Sequence, residues 1–161
     1  MNAGNGFQKF KIKDWGEVYL IPISDLEGTS IADLLPKPFF RTIVCFGEGD
    51  ISSEKELKAF LKFLLDSGAR YFMCCGDLSE VMHDQVDDLR EIHAYESEPE
   101  DCIPTTSHNG ESLLEDILEF AMYSAYSCDR FEKDGTRVVW IAHENSPVLS
   151  KAKTIIQNYV E

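Results

Sequence analysis

Two hydrophobic rhythms alternate along the chain. Four short runs are apolar at nearly every position: GEVYLIPI (16–23), RTIVCFG (41–47), ARYFMCCG (69–76) and RVVWIAH (137–143). GEVYLIPI reads as a strand, and the other three, short and continuously apolar, carry the signature of strands buried on both faces of a sheet. PTTSH (104–108) is a fifth, more polar strand candidate. Between these runs the apolar positions recur every three or four residues. SSEKELKAFLKFLLDSG (52–68) sets Leu57, Phe60, Leu61, Leu64 and Leu65 on one stripe, with Ser53 and Glu56 at capping-box spacing and Gly68 as the stop. LSEVMHDQVDDLREIHAYE (78–96) has a thinner stripe of Met82, Val86 and Leu89, and its other faces are acidic. ESLLEDILEFAMYSAYS (111–127) carries Leu114, Ile117, Leu118, Ala121 and Ala125 behind a second capping box, Ser112 and Glu115. SPVLSKAKTIIQNYV (146–160) opens with Ser146 at the N-cap and Pro147 in the first turn.

The remaining stretches are connections. The first residues are a polar start. SIADLLPKPFF (30–40) is a linker holding at most a short helix, stopped by Pro36 and Pro38. SEPEDCIP (97–104) reads as a loop and DRFEKDG (129–135) as a turn. Strand and helix alternate through four consecutive units. That order predicts an α/β fold, a three-layer sandwich with a mostly parallel sheet of about five strands. One domain is expected over 1–161: an N-terminal strand and connection in 1–40, then repeated strand–helix units in 41–161.

Composition narrows the class. The chain has 161 residues, enough for one well-formed core, and its 43% apolar content is that of a globular protein. No apolar run reaches the roughly 20 residues that span a bilayer, and the start MNAGNGFQKFKIKDW lacks the apolar core of a secretory signal. The five cysteines, Cys45, Cys74, Cys75, Cys102 and Cys128, are odd in number and lie mostly in apolar runs. Reduced thiols in a cytoplasmic protein are expected. The formal net charge is −14. Such a field repels nucleic acid and anionic membrane and attracts a basic surface. The excess is concentrated: Asp77, Glu80, Asp84, Asp87, Asp88, Glu91, Glu96, Glu98, Glu100 and Asp101 face a single base, Arg90.

The parallel-sheet reading locates a candidate site, because ligands on such sheets bind beyond the carboxyl ends of the strands. The residues leaving the strands are Glu48–Gly49–Asp50, Gly76–Asp77, His108–Asn109 and His143–Glu144. His108 and His143, with Asp77 or Glu48, supply the residue types for acid–base or metal-assisted chemistry. The same types also form ordinary polar turns. Cys75 at a strand exit is a candidate thiol nucleophile, with His108 or His143 as its base. Specific motifs are missing. CFGEGDIS has Ser52 where a dinucleotide loop has its third Gly, and Glu48 and Asp50 would oppose a pyrophosphate. Adjacent Cys74 and Cys75 point to opposite faces of a strand and do not grip one metal. His143–Glu144 lacks the second His of a zinc-protease helix. No cofactor and no metal centre is implied.

Several of these segments together resemble a known pattern. YFMCCGD, the MHDQVD segment, an acidic loop with Ile-Pro, TTSH and LEDILEFAMYSA are similar to an uncharacterised bacterial α/β domain family, over roughly 41–143. That family has an apolar strand ending Gly-acidic, a Trp-Asp-Asp-x-Val-Asp segment, a Thr-Thr-Trp-His strand end and a Leu-Glu-Glu helix ending Ser-Ala. Gly76, Asp77, Asp84, Val86, Asp87, Thr105, Thr106 and His108 match, as do Leu114, Glu115, Phe120, Ala121, Ser124 and Ala125. Met82, His83 and Ser107 depart from it. The resemblance implies a domain of unknown function and no activity. It adds weight to Asp84, Asp87 and His108.

Two functional expectations follow. The first is a small acidic binding protein, of immunity or antitoxin type, that neutralises a basic protein through Asp84, Asp87, Asp88, Glu91, Glu96 and Glu98. The second is a hydrolase or metal-dependent enzyme built on His108, His143, Asp77 and Glu48. A third reading is self-association through an exposed apolar edge, and the oligomeric state is open.

Overall fold

The computed structural model describes residues 6–27, 30–93, 103–109, 113–125 and 136–160. Six strands form one sheet: β1 (Gln8–Lys11), β2 (Glu17–Ile23), β3 (Phe40–Cys45), β4 (Ala69–Cys75), β5 (Thr105–His108) and β6 (Arg137–His143). Their spatial order is β1-β2-β6-β3-β4-β5. All pairings from β2 to β5 are parallel, and β1 alone runs antiparallel, against β2. Four helices accompany the sheet: α1 (Glu54–Asp66), α2 (Ser79–His93), α3 (Leu114–Tyr123) and α4 (Pro147–Gln157).

The helices divide between the two faces. Leu57, Phe60, Leu61, Leu64 and Leu65 of α1 and Met82, Val86 and Leu89 of α2 share one core with Val44, Phe72, Cys74, Val139 and Ile141 of the strands. Ile117, Leu118, Ala121 and Met122 of α3 and Leu149, Ala152 and Ile156 of α4 share the other, with Ile43, Met73, Cys75, Val138 and Trp140. The molecule is therefore an α/β sandwich of three layers, as the alternation predicts. Strands β3, β4 and β6 are apolar at nearly every position because helices cover both faces. Each fully buried Leu or Phe of the α1 stripe contributes roughly 1.5–3 kcal/mol by leaving water.

Local signals place the helix ends. Ser53 caps α1 by accepting the Glu56 backbone N–H at 3.1 Å. The Glu56 carboxylate does not reach back to Ser53. It accepts from the Ser52 backbone N–H and hydroxyl instead, which holds it below the usual carboxylate range. Gly68 ends α1 with φ +113° and lets the chain turn into β4. Ser146 caps α4, with Pro147 in its first turn. Helix α3 departs from expectation. Its N-cap position is Leu113, with no side-chain cap, and Ser112 lies outside the described residues.

Two features were not foreseen. The polar start contains β1, where only Gln8 and Phe10 tuck inward while Lys9 and Lys11 stay exposed. An edge strand wet on one side keeps no continuous apolar run. The second is Arg41, 4% exposed in β3. Its guanidinium donates to the Ala121 and Met122 carbonyls at 2.8 and 2.9 Å and lies over the Trp15 ring. It satisfies the carbonyls left open where α3 ends. The linker 30–40 is a connection with one 3-10 turn, Ala32–Leu34, as predicted. The turn expected at 129–135 lies outside the described residues. Among those residues no helix is long and apolar enough to cross a membrane.

Candidate functional site: the strand-end cleft and the acidic helix

Strand order decides where a site can lie. The chain moves from β3 outward to β4 and β5, with α1 and α2 on one face, then returns along α3 to insert β6 on the other side of β3. Between β3 and β6 the connections leave in opposite directions, which opens a crevice at their carboxyl ends. A cleft of about 950 Å³ occupies this position. Its floor is the thiol pair Cys45 and Cys75. These residues are register partners on β3 and β4 and face the α3–α4 side. One wall is the strand-end loops, with Asp50, Asp77 and Asn109. The other is the first turn of α3, with Leu113, Leu114 and Glu115, and the outer face of α4, with Lys151 and Thr154.

The strand-exit residues separate into those the cleft collects and those it does not. Asp50 and Asp77 line it, while Glu48 is exposed and outside it. Glu48 and Asp50 share a 3-10 turn, Glu48–Asp50, that aims only Asp50 inward, where Asp50 accepts the Gly47 N–H at 2.8 Å. Gly76 must be glycine: its φ is +87°, and a Cβ there would sit 2.8 Å from the Phe46 carbonyl oxygen.

The two histidines do not meet. His108 is on β5 and His143 on β6, with β3 and β4 between them. Three strand spacings amount to roughly 14 Å. They also face opposite sides. Ala142 belongs to the α3–α4 core, so its neighbour His143 takes the α1–α2 face. His108 packs edge-on against Phe120 of α3, ring centroids 5.7 Å apart. Its Nε2 lies 2.8 Å from Thr106 Oγ1, and burial lowers its pKa. His143 Nδ1 accepts the Asn145 backbone N–H at 3.1 Å, with an Asp50 oxygen at 4.0 Å. An acid–base pair of His108 and His143 is therefore not assembled by this sheet.

The thiol-nucleophile expectation also meets opposing geometry. Cys74 and Cys75 point into opposite cores, as adjacent strand residues do. Cys75 is 2% exposed, and Cys45 beside it together with burial pushes its thiol well above the ordinary range. A reactive cysteine needs the reverse shift. His108 is the register partner of Cys75, yet no hydrogen bond joins the two side chains. Cys45, Cys74 and Cys75 are free and buried, while Cys102 and Cys128 lie outside the described residues. Among the described residues, no group of three or more His, Cys, Asp or Glu side chains is arranged to hold a metal ion.

The second candidate surface is the outer face of α2. Glu80, Asp84, Asp88 and Glu91 are exposed and recur at helical spacing, so they form one carboxylate stripe opposite Met82, Val86 and Leu89. Asp84 has 83% of its side chain exposed. Asp87 is partly committed to the fold, since Arg90 binds it at 2.7 Å and also donates to the Ile103 carbonyl. Asp88 has Lys58 at 3.9 Å. Ile92, 67% exposed, adds an apolar side chain beside the stripe. Glu96 and Glu98 lie outside the described residues.

The profile of a family described as "Domain of unknown function (DUF7684)" matches residues 24–157. The chain belongs to this family. No curated protein and no solved structure matches it. Family membership thus agrees with the resemblance seen in the sequence and carries no activity with it. The resembling positions fall at three places. Gly76 and Asp77 follow β4 and Thr105, Thr106 and His108 are on β5; Asp84, Val86 and Asp87 are on α2; Leu114, Glu115, Phe120 and Ala121 are on α3, with Ser124 and Ala125 just past its end. Sequence reasoning missed the second wall of the cleft. Leu113 is the N-cap position of α3 and Lys151 and Thr154 lie on the outer face of α4, and pairing between distant elements is what brings them to the strand ends.

Proposed function

We propose that the protein is a small acidic binding protein, cytoplasmic, that neutralises a basic protein partner in the manner of an immunity protein or antitoxin. The observation that carries the proposal is the α2 stripe. Glu80, Asp84, Asp88 and Glu91 line an outer helix along its whole length, with the exposed Ile92 beside them. An array of like charge on a rigid helix steers a basic surface into register, and an apolar neighbour supplies contact area. The overall charge of −14 extends the attraction beyond the contact itself. The alternative, a hydrolase or metal-dependent enzyme using His108, His143, Asp77 and Glu48, loses its geometric basis with the histidines three strands apart.

The test is capture from the native host with identification of co-purifying protein by mass spectrometry, then binding measurements with the purified partner. The triple variant Asp84→Lys/Asp88→Lys/Glu91→Lys spares Asp87 and its bond to Arg90. A basic partner is expected, with binding that weakens on added salt and falls on the order of 100-fold in the variant at low salt. A neutral or acidic partner, or affinity indifferent to the reversal, rejects the proposal.

A further inference from the structure

The strand-end cleft is separate from the α2 surface, and its chemistry is legible on its own. Its about 950 Å³ lies within the range of small-molecule sites. Asp50, Asp77 and Glu115 contribute three carboxylates to its lining and Lys151 a single ammonium. Two of the carboxylates converge. Gly47 has no side chain, and the place a Cβ would occupy has an Asp77 Oδ2 at 3.6 Å and an Asp50 Oδ2 at 3.7 Å. Both acids therefore face one gap, at the switch point of the sheet. Asp50 is held there by the Gly47 N–H at 2.8 Å.

The features that would favour an anion are already neutralised. Helix α3 points its N-terminus toward the cleft, yet carries Glu115 and Asp116 in its first turn. Helix α4 begins with Pro147, which has no N–H, and Ser146 takes up the Val148 N–H. Asn109, Asn145, Ser146, Ser150 and Thr154 add neutral polar groups, and the remaining lining is apolar or softly polarisable. Cys45 and Cys75 form the floor, Ile117 and Ile155 the sides, and Leu113 the rim. Leu113 is 66% exposed although it borders the cavity, so its side chain is available to a ligand's carbon skeleton.

We infer that this cleft binds a small organic cation, an alkyl- or aralkylammonium whose charged head sits between Asp50 and Asp77 and whose apolar body lies over Cys45, Cys75 and Leu113. A charged head between two carboxylates makes charge-assisted hydrogen bonds, and the body displaces water from the thiol floor. Neither role requires the α2 stripe, so this site and the partner surface succeed or fail independently.

The experiment titrates the full-length protein with hexylammonium, hexanol and hexanoate, read by backbone amide NMR shifts and by calorimetry. Hexylammonium is expected to bind saturably, roughly tenfold or more tighter than hexanol, with shifts centred on Gly47, Gly76 and Leu113. Hexanoate is expected to bind more weakly than hexanol. The double variant Asp50→Asn/Asp77→Asn abolishes the preference for the ammonium, while Thr154→Trp, at an exposed α4 position that lines the cleft, weakens hexylammonium and hexanol alike. Far-UV circular dichroism confirms that both variants fold. Hexanoate binding as tightly as hexylammonium, absence of saturable hexylammonium binding, or ammonium preference persisting in the double variant overturns the inference.

Discussion

His108 shows how one residue's surroundings replace its sequence-based role. Its ring is wedged between the sheet and Phe120, and burial favours the neutral imidazole. Because the folded pKa lies below the ordinary 6.5, protonation favours the unfolded chain. The stabilising contribution is complete above about pH 6.5 and is lost as pH falls below it toward the folded value. Urea denaturation between about pH 7.5 and pH 5.5 is expected to show stability declining with acidity in the natural chain, and a shallower decline in His108→Leu. Equal slopes would show that His108 does not titrate differently on folding. Glu17 and Glu56 act in a separate window. The Tyr19 hydroxyl bonds the first and Ser52 the second, so both are held low, and what they contribute is lost only as pH falls below about 4.5. The window chosen for His108 excludes them.

At the scale of elements, the ends of α1 carry more of the architecture than their length suggests. Gly68 joins α1 to β4 with φ +113°, and a Cβ there would lie 2.1 Å from the Pro38 carbonyl oxygen. Gly68→Ala therefore meets both a left-handed backbone and a backbone collision, and is expected to cost at least about 2–3 kcal/mol in denaturant unfolding. Gly49→Ala is the contrast. Nothing lies within 4 Å of its Cβ site, and its expected change is below about 0.5 kcal/mol. Comparable losses at both sites would contradict this account of the α1–β4 corner. Helix α3 makes the complementary point. It has no side-chain N-cap, and its far end is held by Arg41 from inside the sheet, a tertiary substitute for a local stop.

For the whole molecule, the formal charge of −14 has a thermodynamic consequence beside the binding role proposed for it. A compact chain crowds its carboxylates more than an unfolded one, so self-repulsion opposes folding and salt relieves it. Raising NaCl from about 20 mM to about 300 mM is expected to raise Tm by roughly 2–5 °C. The triple reversal on α2 removes much of the local excess and is expected to flatten that dependence. A Tm that falls with salt would mean that attractive ion pairs, such as Lys62–Asp66 at 2.8 Å, outweigh the repulsion. Salt is therefore expected to act in opposite directions on the two properties, stabilising the free fold and weakening the proposed capture of a basic partner.

What the sequence determined by itself is whatever depends on short range. Apolar runs specified β2, β3, β4 and β6, helical stripes specified α1 to α3, and the Ser146–Pro147 start marked α4. The alternation of the two specified layers of helix on a mostly parallel sheet, because these patterns encode which faces must leave water. The acidic stripe of α2 was equally visible, since helical spacing alone aligns Glu80, Asp84, Asp88 and Glu91. Strand β1 was not visible, because an edge exposed on one side keeps its lysines. Only the tertiary structure decided strand order, and strand order decided the site. Inserting β6 between β2 and β3 set His143 far from His108 and opened the cleft between the ends of α3 and α4. That choice rests on pairings between residues as distant as Thr42 and Val139, and no local pattern of hydrophobicity records which of several equally apolar strands will be neighbours.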